Sequence, residues 1–427
     1  MGAPVHETTI TDLPDAVILR VLNMLVDVKA VRRCGAVCQK LKKLNRLVSA
    51  THFGVCHLGQ PNPQDKRRTL GDIVQGCLQH GVTTADFSES LAMGSRMMSQ
   101  LGDPAVVGAK PGIPFKGPAS VPLIKLAQRL QHLTLANNLN LKTLNGLEVA
   151  TALKHLSLRG CVQLESIEAV GPLLQLQSLD LTWCAKLSDL SPLKDHTGLK
   201  IIKLSGCEMI KTAHLEPLKS CTGLEDVNLA GLEYVGVLQL STPAQPQPQQ
   251  CWPNLRDLHL NGCSFLATLS PLPATLQTLD LSFCHSLVDT SWIEGCSRVE
   301  HLNLAHCRRL KNLDGVASCV RLKSIGLWGC SQIKSVGPLT KCRQLRVVDC
   351  TAMVMLKPRS ALSMIQSCTL LERSFFDKQV ANYLEKMIDA KHPAKQGSGG
   401  GMFSCCGSRK KRVAGGEENE LAVVPGE

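Results

Sequence analysis

The sequence predicts an α/β solenoid: short parallel strands stacked one per turn of chain into a horseshoe, with a helical module before the stack and a helical cap after it. Three observations predict this. A nine-residue phrase recurs ten times between Leu130 and Met353. Its copies keep a near-constant spacing. Within each copy the apolar residues pass from a period of two to a period of three.

The phrase is clearest as LKHLSLRGC at 153–161 and LQSLDLTWC at 176–184. It returns as LKIIKLSGC (199–207), LRDLHLNGC (255–263), LQTLDLSFC (276–284), VEHLNLAHC (299–307) and LKSIGLWGC (322–330). LQHLTLANN (130–138) opens the run; LEDVNLAGL (224–232) and LRVVDCTAM (345–353) are weaker copies. Most steps between starting positions are 23 residues. The template, L-x-x-L-x-L-x-x-C/N, resembles the leucine-rich-repeat signature. Side chains alternate along a strand, so Leu156 and Leu158 point inward while His155 and Ser157 point outward. One strand has nothing to bury its leucines against, whereas a stack shares a continuous core. After each phrase apolar residues fall three apart, as in Leu164, Ile167, Val170 and Leu173, often with Pro among them (VGPL at 170–173 and 336–339, LSPL at 190–193). That spacing suits short 3₁₀ turns and a thin convex wall.

Composition narrows the classes. The chain has 427 residues, a net charge of +12 and only 3% aromatic residues. No run reaches the eighteen apolar residues of a membrane span, and the first residues lack the basic-then-apolar order of a signal peptide. The twenty cysteines are placed as ladders. Cys161, Cys184, Cys207, Cys263, Cys284, Cys307 and Cys330 hold the ninth position of the phrase. Cys221, Cys296, Cys319 and Cys342 each precede a repeat by three residues. Ladder neighbours that all point inward imply free thiols and a reducing compartment, hence a cytoplasmic protein. No Cys or His spacing fits a metal site, and no cofactor is expected. The basic clusters at 29–46 and 409–412 lack the aromatic platforms that stack bases, so they read as a solvated face or a patch for an acidic partner protein, not for nucleic acid.

Residues 1–10 form a tail. Residues 11–50 read as two helical segments. Pro14 suits a first helical turn, and Val17, Ile18, Val21, Leu22 and Leu25 make one stripe. Asp27 begins the second segment, whose apolar residues run from Val31 to Val48. This stretch resembles an F-box: Leu13-Pro14-Asp15, Val17-Ile18-Leu19, Val21-Leu22, Leu25, Asp27-Val28-Lys29 and Val37-Cys38 fall in that family's register. Leu41 stands where the family usually has Trp. The resemblance implies a Skp-type adaptor bound through Leu13, Pro14, Ile18, Val21 and Leu25. The other reading of 11–50 is a cap for the first repeat.

Residues 51–129 form a connector. A degenerate strand is expected at Val82–Phe87, and a Gly/Pro-rich loop at 102–122. The repeats occupy 130–357, interrupted by STPAQPQPQQ at 241–250, which is too rich in Pro and Gln to hold a core. Residues 358–394 lose the phrase and predict a helical cap with Phe376, Val380, Tyr383, Leu384, Met387 and Ile388 on one stripe. Residues 395–427 are Gly/Ser-rich, then charged, and predict disorder. Within that tail Cys405 and Cys406 precede RKKR. This resembles a doubly acylated anchor beside a polybasic stretch, which would give peripheral membrane contact; a tail with idle thiols or a nuclear-localisation run is the other reading.

No catalytic constellation is present in the sequence: there is no P-loop, G-x-S-x-G or H-E-x-x-H. The histidines at 132, 155, 259 and 301 fall at outward strand positions and read as polar cover. The expected binding strip is Asp180, Trp183, Asp280, Phe283, His306 and Trp328, on the concave face and at the strand exits, where exposed aromatics anchor a protein ligand. F-box proteins often carry leucine-rich repeats downstream. The resemblance therefore implies a substrate-recognition subunit of a cullin–RING (SCF-type) ubiquitin ligase: adaptor and cullin on the N-terminal module, a protein substrate on the repeats. The competing class is a non-ligase leucine-rich-repeat scaffold or a phosphatase-regulatory protein.

Overall fold

In the repeat strands the middle residue is buried and its neighbours face outward, as in His155–Ser157, Ser178–Asp180, Ile201–Lys203 and Thr278–Asp280. The computed structural model describes residues 127–242 and 249–389, together with the backbone of two further strands, Thr84–Asp86 and Phe403–Cys405. These segments build one thirteen-stranded sheet, every strand parallel to its neighbours. Register is kept position for position: Leu156 lies beside Leu179, Leu179 beside Ile202, and Leu279 beside Leu302. The chain is a leucine-rich-repeat solenoid with a long parallel sheet and a C-terminal helical cap.

One repeat shows what holds the stack together. Leu176, Leu179, Leu181, Cys184, Leu187, Leu190 and Leu193 are all fully buried. Each buried leucine is worth roughly 1.5–3 kcal/mol. Backbone ordering costs roughly 1–2 kcal/mol per residue, so a repeat persists because its neighbours cover both of its faces. The far wall is built from short 3₁₀ segments such as Glu168–Val170, Ser191–Leu193, Asp314–Ser318 and Gly337–Lys341, with Pro in the first turn of the second and fourth.

The cysteine ladders are hydrogen-bonded. Each ninth-position thiol donates to the sixth-position carbonyl of the repeat before it: Cys161 to Leu135 (3.2 Å), Cys207 to Leu181 (3.1 Å) and Cys330 to Leu304 (3.0 Å). In the first copy Asn138 sends its Nδ2 to Leu135 of its own turn at 2.7 Å. In the second ladder Cys221 donates to Leu193 and Cys368 to Leu339. His196 takes the same place one repeat earlier, fully buried, with Nε2 at 3.1 Å from the Val170 carbonyl.

Four regions differ from or refine the expectation. The degenerate strand is present as Thr84–Asp86 and pairs directly with His132–Thr134. The cap is helix–strand–helix. Pro358–Ser367 is helical, Arg373–Phe376 is a further strand in register with Val347–Cys350, and Lys378–Asp389 is the second helix. Phe376 thus belongs to a strand and not to the helical stripe; it fills the core at 0% exposure. Ser374, buried where earlier repeats carry Leu, Ile or Val, helps hide this copy of the phrase. Downstream, in the tail expected to be disordered, Phe403–Cys405 pairs with that strand. The 241–250 insertion leaves the stack as an antiparallel ribbon, Ser241–Thr242 against Gln249–Gln250. The F-box-like stretch 11–50, with Leu13, Pro14, Ile18, Val21 and Leu25, lies outside the described residues, as does Cys406.

Candidate interaction surface

Every repeat places its eighth residue, two past the last inward leucine, in the left-handed backbone region. Five of the ten are glycine: Gly160, Gly206, Gly231, Gly262 and Gly329. The other five are Asn137, Trp183, Phe283, His306 and Ala352. Asn tolerates this conformation, but for a bulky aromatic side chain it is an outlier. Trp183 has φ 63° and Phe283 φ 61°, yet both remain substantially exposed, at 53% and 41%. Three of the residues expected in the binding strip, Trp183, Phe283 and His306, therefore sit at the one strained position of the repeat.

The structure gathers the strip into two parts. Phe283 stacks on His306 with ring centroids 4.7 Å apart, and His306 meets Trp328 edge-on at 4.1 Å. His285 adds an edge contact to Phe283. His306 Nδ1 is buried and has no hydrogen-bond partner. Burial first, then Arg308 and His285, hold its imidazole below the usual histidine value. Trp183 stands apart. Four strand steps of roughly 4.8 Å put it about 20 Å from Phe283, and Gly206, Gly231 and Gly262 fill the interval.

Asp180 and Asp280 turn out to be employed by the fold. Asp180 Oδ1 accepts the Thr182 N–H, and Asp280 Oδ1 accepts the Ser282 N–H, each at 2.9 Å. Asn228, Asn303 and Asp349 make the same bond in their own repeats. The residue type is set by the strand-exit turn, where a short polar side chain closes a local ring. Of the outward histidines, His132 and His155 stack at 4.4 Å on adjacent strands.

The sequence reading missed a neighbouring apolar row. Met209, Tyr234 and Phe265 occupy the eleventh position of three successive repeats and are 50%, 57% and 61% exposed. Other repeats carry Gln163, Lys186, Arg309 and Gln332 there. That contrast was the available signal: three large apolar residues in succession, in a column whose other large apolar member is Met355 of the last repeat. Of this row Tyr234, together with Trp183, lines a groove of about 480 Å³ over Gly206, Gly231 and Gly262, with Glu208 and Glu233 also in its lining.

The chain matches no protein-family model and no curated protein. Among solved structures it is similar to an internalin, inlF, from Listeria monocytogenes: 15% identity over 66% of this chain and 83% of that one, with a TM-score of 0.40. A second is internalin C2 from the same organism, at 16% identity over 53% of this chain and 82% of that one, TM-score 0.26. The strands, their register and the buried leucines define the fold.

Proposed function

We propose that the chain is a non-catalytic binding protein whose strand-exit ridge, from Trp183 to Trp328, takes a protein ligand. The observation that carries this is the backbone at Trp183 and Phe283. A position that accepts glycine in half of the repeats holds large aromatics there, strained and exposed, with no core to fill. Strain kept at an exposed aromatic is the mark of a contact surface. The test is the double variant Trp183→Ala, Phe283→Ala. Proteins captured by the wild-type chain should be lost, with circular dichroism unchanged. Undiminished capture would move the site elsewhere.

The finer reading is that the ligand is a substrate and the chain its receptor in an SCF-type ubiquitin ligase. What supports it is the F-box-like register of residues 11–48 ahead of a repeat array. On this reading Leu13, Pro14, Ile18, Val21 and Leu25 dock on a Skp-type adaptor, and the protein works in the cytoplasm. The competing reading is a scaffold or phosphatase-regulatory protein with 11–48 as a cap. Pro14→Ala with Ile18→Asp decides between them. Loss of adaptor co-purification with the solenoid still folded favours the ligase; no adaptor or cullin on the wild-type protein rejects it.

A further inference from the structure

Gly206, Gly231 and Gly262 stand at position eight of three successive repeats, and their missing side chains leave the groove beside Trp183. Two aromatic residues, Trp183 and Tyr234, line it, and so do the carboxylates of Glu208 and Glu233; no lysine or arginine does. Among the described residues neither glutamate is in an ion pair. Glutamates at other positions of the repeat are paired: Glu165 with Lys186, Glu225 with Lys200, Glu300 with Lys323. The ring faces carry negative quadrupole charge and the carboxylates carry full charge, so the groove presents one sign in a chain whose net charge is +12. Asn261 adds an amide to the lining. Such a groove attracts a cation and repels an anion. A planar guanidinium suits it better than an ammonium. It can stack on an indole face and still fork its N–H donors towards a carboxylate. With the indole of Trp183 over Gly206, the open floor is Gly231 and Gly262, about 5 Å across one strand step, and it lets a backbone approach closely.

From the geometry we infer that this groove receives an arginine side chain from an extended segment of the partner protein. The inference rests on the ridge being the binding surface and names the chemistry of what enters it. Trp183 supplies the stacking face. Glu208 and Glu233 supply the counter-charge. Tyr234 closes the side.

The full-length chain is titrated calorimetrically with three peptides of the form acetyl-Gly-X-Gly-X-Gly-amide, where X is arginine, lysine or citrulline, each across a sodium chloride series. The arginine peptide should bind saturably. The citrulline peptide, isosteric but uncharged, should bind at least about tenfold more weakly, and the lysine peptide between the two. Glu208→Gln with Glu233→Gln should cost about tenfold and flatten the salt dependence. Trp183→Gly, which installs the residue found at this position in five other repeats, should cost about fivefold or more with circular dichroism unchanged. Equal binding of citrulline and arginine, tighter binding of lysine, no effect of Trp183→Gly, or no saturable binding at about 5 mM peptide would each overturn the inference. Loss of the captured protein partner on Trp183→Ala, Phe283→Ala but not on the double glutamate variant would leave the ridge as the binding surface and remove arginine as its ligand.

Discussion

Trp183 lies over Gly206: a Cβ built on Gly206 would come within 2.6 Å of Trp183 Cε3. The glycine therefore answers two demands at once, a φ of 71° and room for the indole of the preceding repeat. Gly262 answers only the first. Its φ is 78°, but the nearest atoms to its Cβ position are those of Gly231 at 3.5 Å. Gly206→Ala should cost the left-handed penalty of roughly 1–2 kcal/mol plus the displacement of Trp183. Gly262→Ala should cost the penalty alone. Urea midpoints measure the difference, and Trp183 emission should shift only in the first variant.

Asp280 offers a test of fold against ligand. Its carboxylate holds the Ser282 N–H, as Asn228 and Asn303 hold the matching N–H in their repeats. Asp280→Asn should therefore leave the urea midpoint and partner capture unchanged. Asp280→Ala should lose about 1 kcal/mol. If Asp280→Asn abolishes capture at full stability, the carboxylate faces the partner after all.

His196 makes stability depend on pH. Burial holds its imidazole below the usual histidine value of about 6.5. The unfolded chain then takes up a proton, as pH falls through the unfolded pKa, that the folded chain refuses. The contribution of His196 is therefore fully present well above pH 6.5 and is lost as pH drops below it. His196→Cys, the residue at Cys221, Cys296, Cys319 and Cys342 in the same column, should flatten the decline in urea midpoint between pH 7.5 and 5.5. His132 and His306 are shifted the same way, so the wild-type minus variant difference isolates the buried site.

The ladder thiols should be inert while the chain is folded. Burial pushes Cys161 up to about 11, and Cys207, Cys263 and Cys330 up to about 12. The thiolate is the reactive form. Alkylation at pH 8 followed by peptide mass mapping should leave these four unmodified in native protein and label them in urea. Rapid native labelling of any one would show that its repeat opens.

The array was legible because its pattern is redundant: ten copies of one phrase fix strand, register and inward face together. Where the template eroded, as in LERSFFDKQ at 371–379, the pattern no longer showed. Ser374 in a position of Leu, Ile or Val helped conceal a strand that Phe376 nonetheless anchors in the core. Some residues of the proposed strip stand out in the sequence. Trp183, Phe283, His306 and Trp328 stand out as aromatic residues at strand exits in a chain with few of them. That three of these four share a left-handed backbone is not a property of residue type, and only the recurrence of glycine at the same position hints at it. The turn-closing bonds of Asp180 and Asp280 were not legible, because an outward carboxylate and a turn-closing carboxylate look the same in sequence. Met209, Tyr234 and Phe265 escaped notice because each alone is an ordinary exposed residue; they acquire meaning only as a column.

A parallel sheet in uniform register is a template at its ends. The outer edge of Arg373–Phe376 offers unpaired backbone donors and acceptors to any strand, including one from a second copy, and head-to-tail addition of that kind does not close on itself. Phe403–Cys405 occupies the edge. Three residues from beyond the second cap helix thus replace a four-residue edge with a shorter one of three, which is a poorer template for a further strand.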